Sequence, residues 1–189
     1  MKGIILNGKT ATGKTATSNT LKDLLNFQLI EISLRLLAKK NGCSIQQIME
    51  QAKVDEEIDL CLDKEAISII DKTINENKKI IVVGRYPILW DYFKNKNFLK
   101  VLLIVNTEIA AQRLLKHRTS FVESYKNKNE AKKSVIEIDK EDKERGLKLY
   151  KKDCFDYNHY DLIINTKLFS VNQVANIIFE TFQTLEKSK

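Results

Sequence analysis

Eight residues near the N-terminus, Gly8, Lys9, Thr10, Ala11, Thr12, Gly13, Lys14 and Thr15, read GKTATGKT. They complete a G-x-x-x-x-G-K-[ST] pattern, which carries information only between a strand and a helix. The run GIILN before it suits a short strand. Residues 15–25 after it have helical spacing, with Ala16, Leu21, Leu24 and Leu25 able to face a sheet. A loop with glycine at both ends can turn its N–H groups inward around phosphate oxygens. The helix that follows aims the positive end of its dipole at the same anion. Lys14 can then reach the β- and γ-phosphates of ATP, and the Thr15 hydroxyl can ligate Mg²⁺.

A second set of charged residues follows the other apolar runs. Glu31, Ser33 and Arg35 come after the second run, in LIEISLRLLAKKNG. Glu31 can orient a water on Mg²⁺ or bond a sugar, and Arg35, about one helical turn on, can grip a phosphate bidentately. Gly84 and Arg85 follow IIVV, where glycine permits close approach to the backbone and the arginine suits an anion. Arg35 and Arg85 together make a second phosphate site. That separates a phosphotransferase acting on a monophosphate from a simple ATP hydrolase. Arg113 and Arg118, in QRLLKHR, are placed to stack on adenine or touch the transferring phosphates. Arg145, beside Lys143 and Lys148, can supply a guanidinium to charge developing on the γ-phosphoryl. His117 and His159 have no nucleophile or metal-ligand company and read as surface or structural residues.

The elements that must hold these residues alternate. Strand candidates cover 3–7, 27–30, 79–83, 100–105 and 162–165, and several are continuously apolar, as in strands covered on both faces. Helical spacing covers 18–26, 33–41, 44–53, 55–75, 107–116 and 170–185. The expected fold is α/β: a three-layer α/β/α domain on a five-stranded parallel sheet, with ligands beyond the carboxyl ends of the strands. The segment 125–152 is crowded with Lys, Asp and Glu. It suits either a solvated helical pair or a lid closing over phosphates.

A chain of 189 residues is expected to be one domain with a sizeable core. Its 32 Lys plus Arg against 25 Asp plus Glu give a net charge of +7, which suits an anionic partner but equally follows from a Lys-rich composition. Cys43, Cys61 and Cys154 show no metal-ligand spacing and fit reduced side chains in a cytoplasmic protein. No apolar run approaches a membrane span. The sequence does not fix an oligomeric state.

The stretches SIQQIMEQAKVDEEIDLCLD, IIVVGR, VNTEIAAQRLLKHR, IDKEDKERGLKLY and YDLIINTKLFSVNQVANII, with the glycine-rich loop, resemble cytidylate kinase-like nucleoside monophosphate kinases almost end to end. The resemblance implies a P-loop kinase fold with a helical monophosphate-binding insert at about 33–76 and a lid at about 119–156. It implies Lys14 and Thr15 as triphosphate and Mg²⁺ residues, and Arg35 and Arg85 as the acceptor grip. Arg113 would lie near the adenine, Arg145 in the lid, and Asn165 and Thr166 beside the adenine. CMP or dCMP is the acceptor it implies. Two departures stand out: Ala11 replaces a glycine usual inside the loop, and Val83 replaces an acid usual before Gly-Arg. Two alternatives remain at this point. One is a kinase of another metabolite. The other is an ATP-binding regulatory protein touching nucleic acid, which the lack of aromatics interleaved in the basic segment disfavours.

Overall fold

The computed structural model describes residues 1–31, 33–84, 92–93, 96–117, 119–120 and 123–188, with 119 and 120 described by their backbone. In chain order these form β1 (Gly3–Gly8), α1 (Lys14–Leu25), β2 (Gln28–Glu31), α2 (Leu34–Asn41), α3 (Ile45–Val54), α4 (Glu57–Asn75) and β3 (Ile80–Val83). Then follow β4 (Phe98–Ile104), α5 (Thr107–His117), β5 (Thr119–Ser120), β6 (Glu123–Ser124), α6 (Lys128–Tyr150), a 3₁₀ turn at Tyr157–His159, β7 (Leu162–Asn165) and α7 (Val171–Lys187).

The five apolar runs form one parallel sheet in the order β2-β3-β1-β4-β7. Side chains alternate across a strand, so β1 feeds two cores. Ile4 and Leu6 join Leu21 of α1 and Val174, Ile178 and Phe182 of α7 on one face. Ile5 joins Ala66 and Ile70 of α4 on the other. Fully burying side chains of this size stabilises by roughly 1.5–3 kcal/mol each. The three-layer α/β/α arrangement expected from the sequence is the one observed.

Smaller clusters carry the remaining elements. Leu34 and Ala38 of α2 pack on Ile45, Ile48 and Met49 of α3, with Leu62 and Ile138 against them. A reciprocal Ser44–Gln47 capping box starts α3. The charged segment is one helix of 23 residues, α6, not a helical pair. Asn127 caps its start, and its buried residues are Ala131, Val135, Asp142 and Gly146. Ala131 and Val135 are small enough to let it lie close against α5, where Ala110, Ala111 and Leu114 complete the cluster. A two-stranded antiparallel hairpin, β5-β6, precedes it. Among the described residues no helix is long and apolar enough to cross a membrane.

Candidate active site

The carboxyl ends of the parallel strands open into a cleft of about 800 Å³. Residues 10–17 line it after β1, Glu31 and Ser33 at β2, Val83 and Gly84 at β3, and Thr166 after β7. Arg35, Asp59, Arg113 and Arg145 line the same cleft.

The loop is held by its own atoms. Gly8 has no room for a side chain: an added Cβ would stand 2.6 Å from Leu103 O. Gly13, the residue before α1, has φ 95, which favours glycine. Ala11 also sits in the left-handed region at φ 55, where a Cβ costs about 1–2 kcal/mol. The alanine noticed in the sequence is therefore held with backbone strain.

Lys14 Nζ donates to Gly8 O at 2.5 Å and Lys9 O at 2.9 Å, spanning the loop mouth. Lys9 is different. Its side chain lies over the Phe155 ring, 5.7 Å from the centroid, and neither Gly8 nor Lys9 lines the cleft. Thr12 Oγ1 donates to Lys9 O at 2.8 Å. The Thr10 N–H donates to Asp139 Oδ1 of α6 at 2.8 Å.

Thr15 Oγ1 and Glu31 Oε1 face each other at 3.3 Å on the cleft wall. Hard oxygen donors of this kind suit Mg²⁺, which keeps few protein ligands and completes its shell with water and phosphate oxygens. No group of three or more His, Cys, Asp or Glu among the described residues could hold a metal alone. The residues present fit Mg²⁺ bound with a nucleotide.

Arg113 acts on the loop as well as lining the cleft. It donates to Thr166 Oγ1 at 2.9 Å, Thr166 O at 2.7 Å and Ala11 O at 3.3 Å, joining the loop to the end of β7. Burial lowers the pKa of its guanidinium from the ordinary value. Thr166 lines the cleft but Asn165 does not: the Asn165 side chain closes its own turn, accepting from the Lys167 N–H. His117, expected to be a surface or structural residue, lines the cleft at the end of α5.

At the other end, Arg35 pairs with Glu123. Ser33 caps α2 through Leu36 N at 3.3 Å as well as lining the cleft. Arg145 bonds Asp142 at 3.1 Å and approaches Asp59 at 3.6 Å. Its guanidinium thus sits between α4 and α6 instead of on a free loop. Tyr150 donates to Asp63, and burial followed by that carboxylate raises the Tyr150 pKa, so its hydroxyl keeps its proton. Arg85 and Arg118 lie outside the described residues.

Sequence reasoning missed several residues. Asn7 is 1% exposed. It accepts the Gly8 N–H at 2.8 Å and donates to Cys154 O at 3.0 Å, fixing the loop's first residue from below. Its place at the end of an apolar strand, just before the loop, was the available signal. Asp59, Asp63 and Asp139 lie in charge-rich stretches with no local signature, and Glu123 stands alone in TSFVESY with none either.

A glycine-rich loop between the first strand and first helix of a sheet in this order defines a P-loop kinase-type α/β domain. The cytidylate kinase-like family model matches residues 4–168, and the chain belongs to that family. A protein named cytidylate kinase from Thermococcus sibiricus is 30% identical over 177 residues, covering 93% of this chain and 84% of its own. An S-adenosylmethionine-dependent nucleotide dehydratase from Lacinutrix mariniflava is 28% identical over 184 residues. That match covers 95% of this chain, which spans only 36% of the dehydratase's length. The shikimate kinase of Acinetobacter baumannii superposes with a TM-score of 0.57 over 97% of this chain and 94% of its own, at 17% identity, a likeness of fold.

Proposed function

We propose that this protein is a nucleoside monophosphate kinase that transfers the γ-phosphoryl group of Mg-ATP to CMP or dCMP. The observation that carries it is the single cleft joining the phosphate-binding loop to Arg35, Gly84 and Arg145. An ATP hydrolase needs only the first half of such a site. The cytidylate kinase names of the archaeal relatives support the cytosine preference.

An oxygen of the acceptor's phosphate forms a bond to the γ-phosphorus, and the bond from that phosphorus to the β–γ bridging oxygen breaks. ADP and a nucleoside diphosphate result. Little covalent work falls to the protein, so its contribution is alignment and charge stabilisation. The loop N–H groups and Lys14 hold the triphosphate, while Arg35 and Arg85 hold the acceptor phosphate. Arg113 keeps the loop and the end of β7 together around the donor base. Thr15, with Glu31 behind it, would hold Mg²⁺, which neutralises phosphate charge when bound. The segment at about 119–156, built on α6, serves as the lid and brings Arg145 to the site, and helices within 33–76 form the acceptor arm. Exclusion of water on closure favours transfer over hydrolysis.

Replacing Lys14 tests the donor half. Lys14→Ala should keep the circular dichroism spectrum and lower CMP-dependent ADP formation by about 10²–10³-fold, as loss of a contact to the developing charge does. Near-normal turnover would remove Lys14 from the mechanism.

A further inference from the structure

Arg35 stands in the first turn of α2, and the residue it pairs with lies on the β5-β6 hairpin far along the chain. That partner, Glu123, has a side chain only 1% exposed, whereas Arg35 remains 33% exposed. A carboxylate so deeply buried must be compensated, and its surroundings are built for the purpose. The Tyr125 hydroxyl donates to Glu123 Oε1 at 2.7 Å. Tyr125 has one proton to give, so the Ser134 hydroxyl of α6, 3.0 Å away, must donate to the Tyr125 oxygen. The order is Ser134 to Tyr125 to Glu123 to Arg35.

The pairing engages only part of the guanidinium. Glu123 Oε2 meets Arg35 Nη2. Among the described residues, Arg35 Nε is buried without a hydrogen-bond partner. The side chain as a whole is nonetheless partly exposed and lines the cleft, so Arg35 is within reach of a ligand there.

We propose that Glu123 is a positioning residue for the acceptor: it fixes the Arg35 guanidinium by Nη2, so that the exposed part of the side chain is held towards the phosphate of the monophosphate. The proposal rests on the reading of Arg35 as part of the acceptor grip. Two effects of Glu123 oppose each other. Its charge offsets part of the attraction of Arg35 for phosphate, while its anchorage removes the rotamer freedom that a long side chain would otherwise lose on binding. Arg35 keeps a solvent-facing portion that would move freely without its anchor, so anchorage dominates. The link through Tyr125 and Ser134 also ties this grip to helix α6, which carries Asp139 and Arg145.

The test is initial-rate kinetics on Glu123→Gln, Arg35→Ala and the double variant, with CMP and ATP varied in turn. Glu123→Gln should raise KM for CMP about tenfold and leave KM for ATP within about twofold. In the Arg35→Ala background it should add nothing, because its effect passes through that side chain. An unchanged or lowered KM for CMP, an equal rise in both KM values, or full additivity with Arg35→Ala would overturn the proposal alone. Arg35→Ala with unchanged KM for CMP, or no CMP turnover by the natural protein, would overturn the acceptor-site reading and the proposal with it. Should Glu123→Gln fail to fold, Tyr125→Phe keeps the carboxylate and removes one of its anchors. It should raise KM for CMP about threefold without affecting ATP, and no such rise would count against the proposal.

Discussion

The carboxylate of Asp139 accepts a hydrogen bond from the Thr10 N–H at 2.8 Å, across 129 residues of sequence. An acid on the charged helix α6 thus takes up a donor of the phosphate-binding loop. Any nucleotide that settles on the loop brings negative charge close to that carboxylate. At about 4 Å, two like charges near a protein surface repel by roughly 4 kcal/mol, and by about 1 kcal/mol where water screens them fully.

Asp139→Asn should therefore tighten binding of a non-hydrolysable ATP analogue by about 3- to 10-fold, since the amide keeps an acceptor for Thr10 and loses the charge. Isothermal titration calorimetry at low salt measures this directly. Unchanged or weaker binding would mean that Asp139 has moved away from the triphosphate before it docks.

Gly8→Ala should destabilise the fold as well as the loop. The new Cβ would meet Leu103 O at 2.6 Å and Thr12 Oγ1 at 2.8 Å, and the first of these is backbone of the adjacent central strand. Overpacking of that kind costs about 1–3 kcal/mol. For a chain of this size the melting temperature should fall by about 3–10 °C. A melting temperature within a degree of the natural protein's would show that β1 and β4 can separate there at no cost.

The middle of the parallel sheet was legible in the sequence because β1, β3 and most of β4 are buried on both faces and so read as apolar runs. The glycine-rich loop was legible because its chemistry is local, with contacts a few residues apart. Helix α6 was not. Its buried positions are Ala131, Val135, Asp142 and Gly146, so no stripe of large apolar residues marks its face. The contacts that shape the cleft are also long-range pairs of common polar and charged residues. Arg35 with Glu123, Arg145 with Asp59 and Thr10 with Asp139 have no spacing rule to reveal them.

Phosphoryl transfer to a monophosphate is tested most directly by ADP formation from Mg-ATP with CMP, dCMP, UMP, AMP, GMP, shikimate and no acceptor. Strong ADP formation with CMP or dCMP, and little without an acceptor, is the predicted result. A flat response across all acceptors, with ATP still bound, would contradict it.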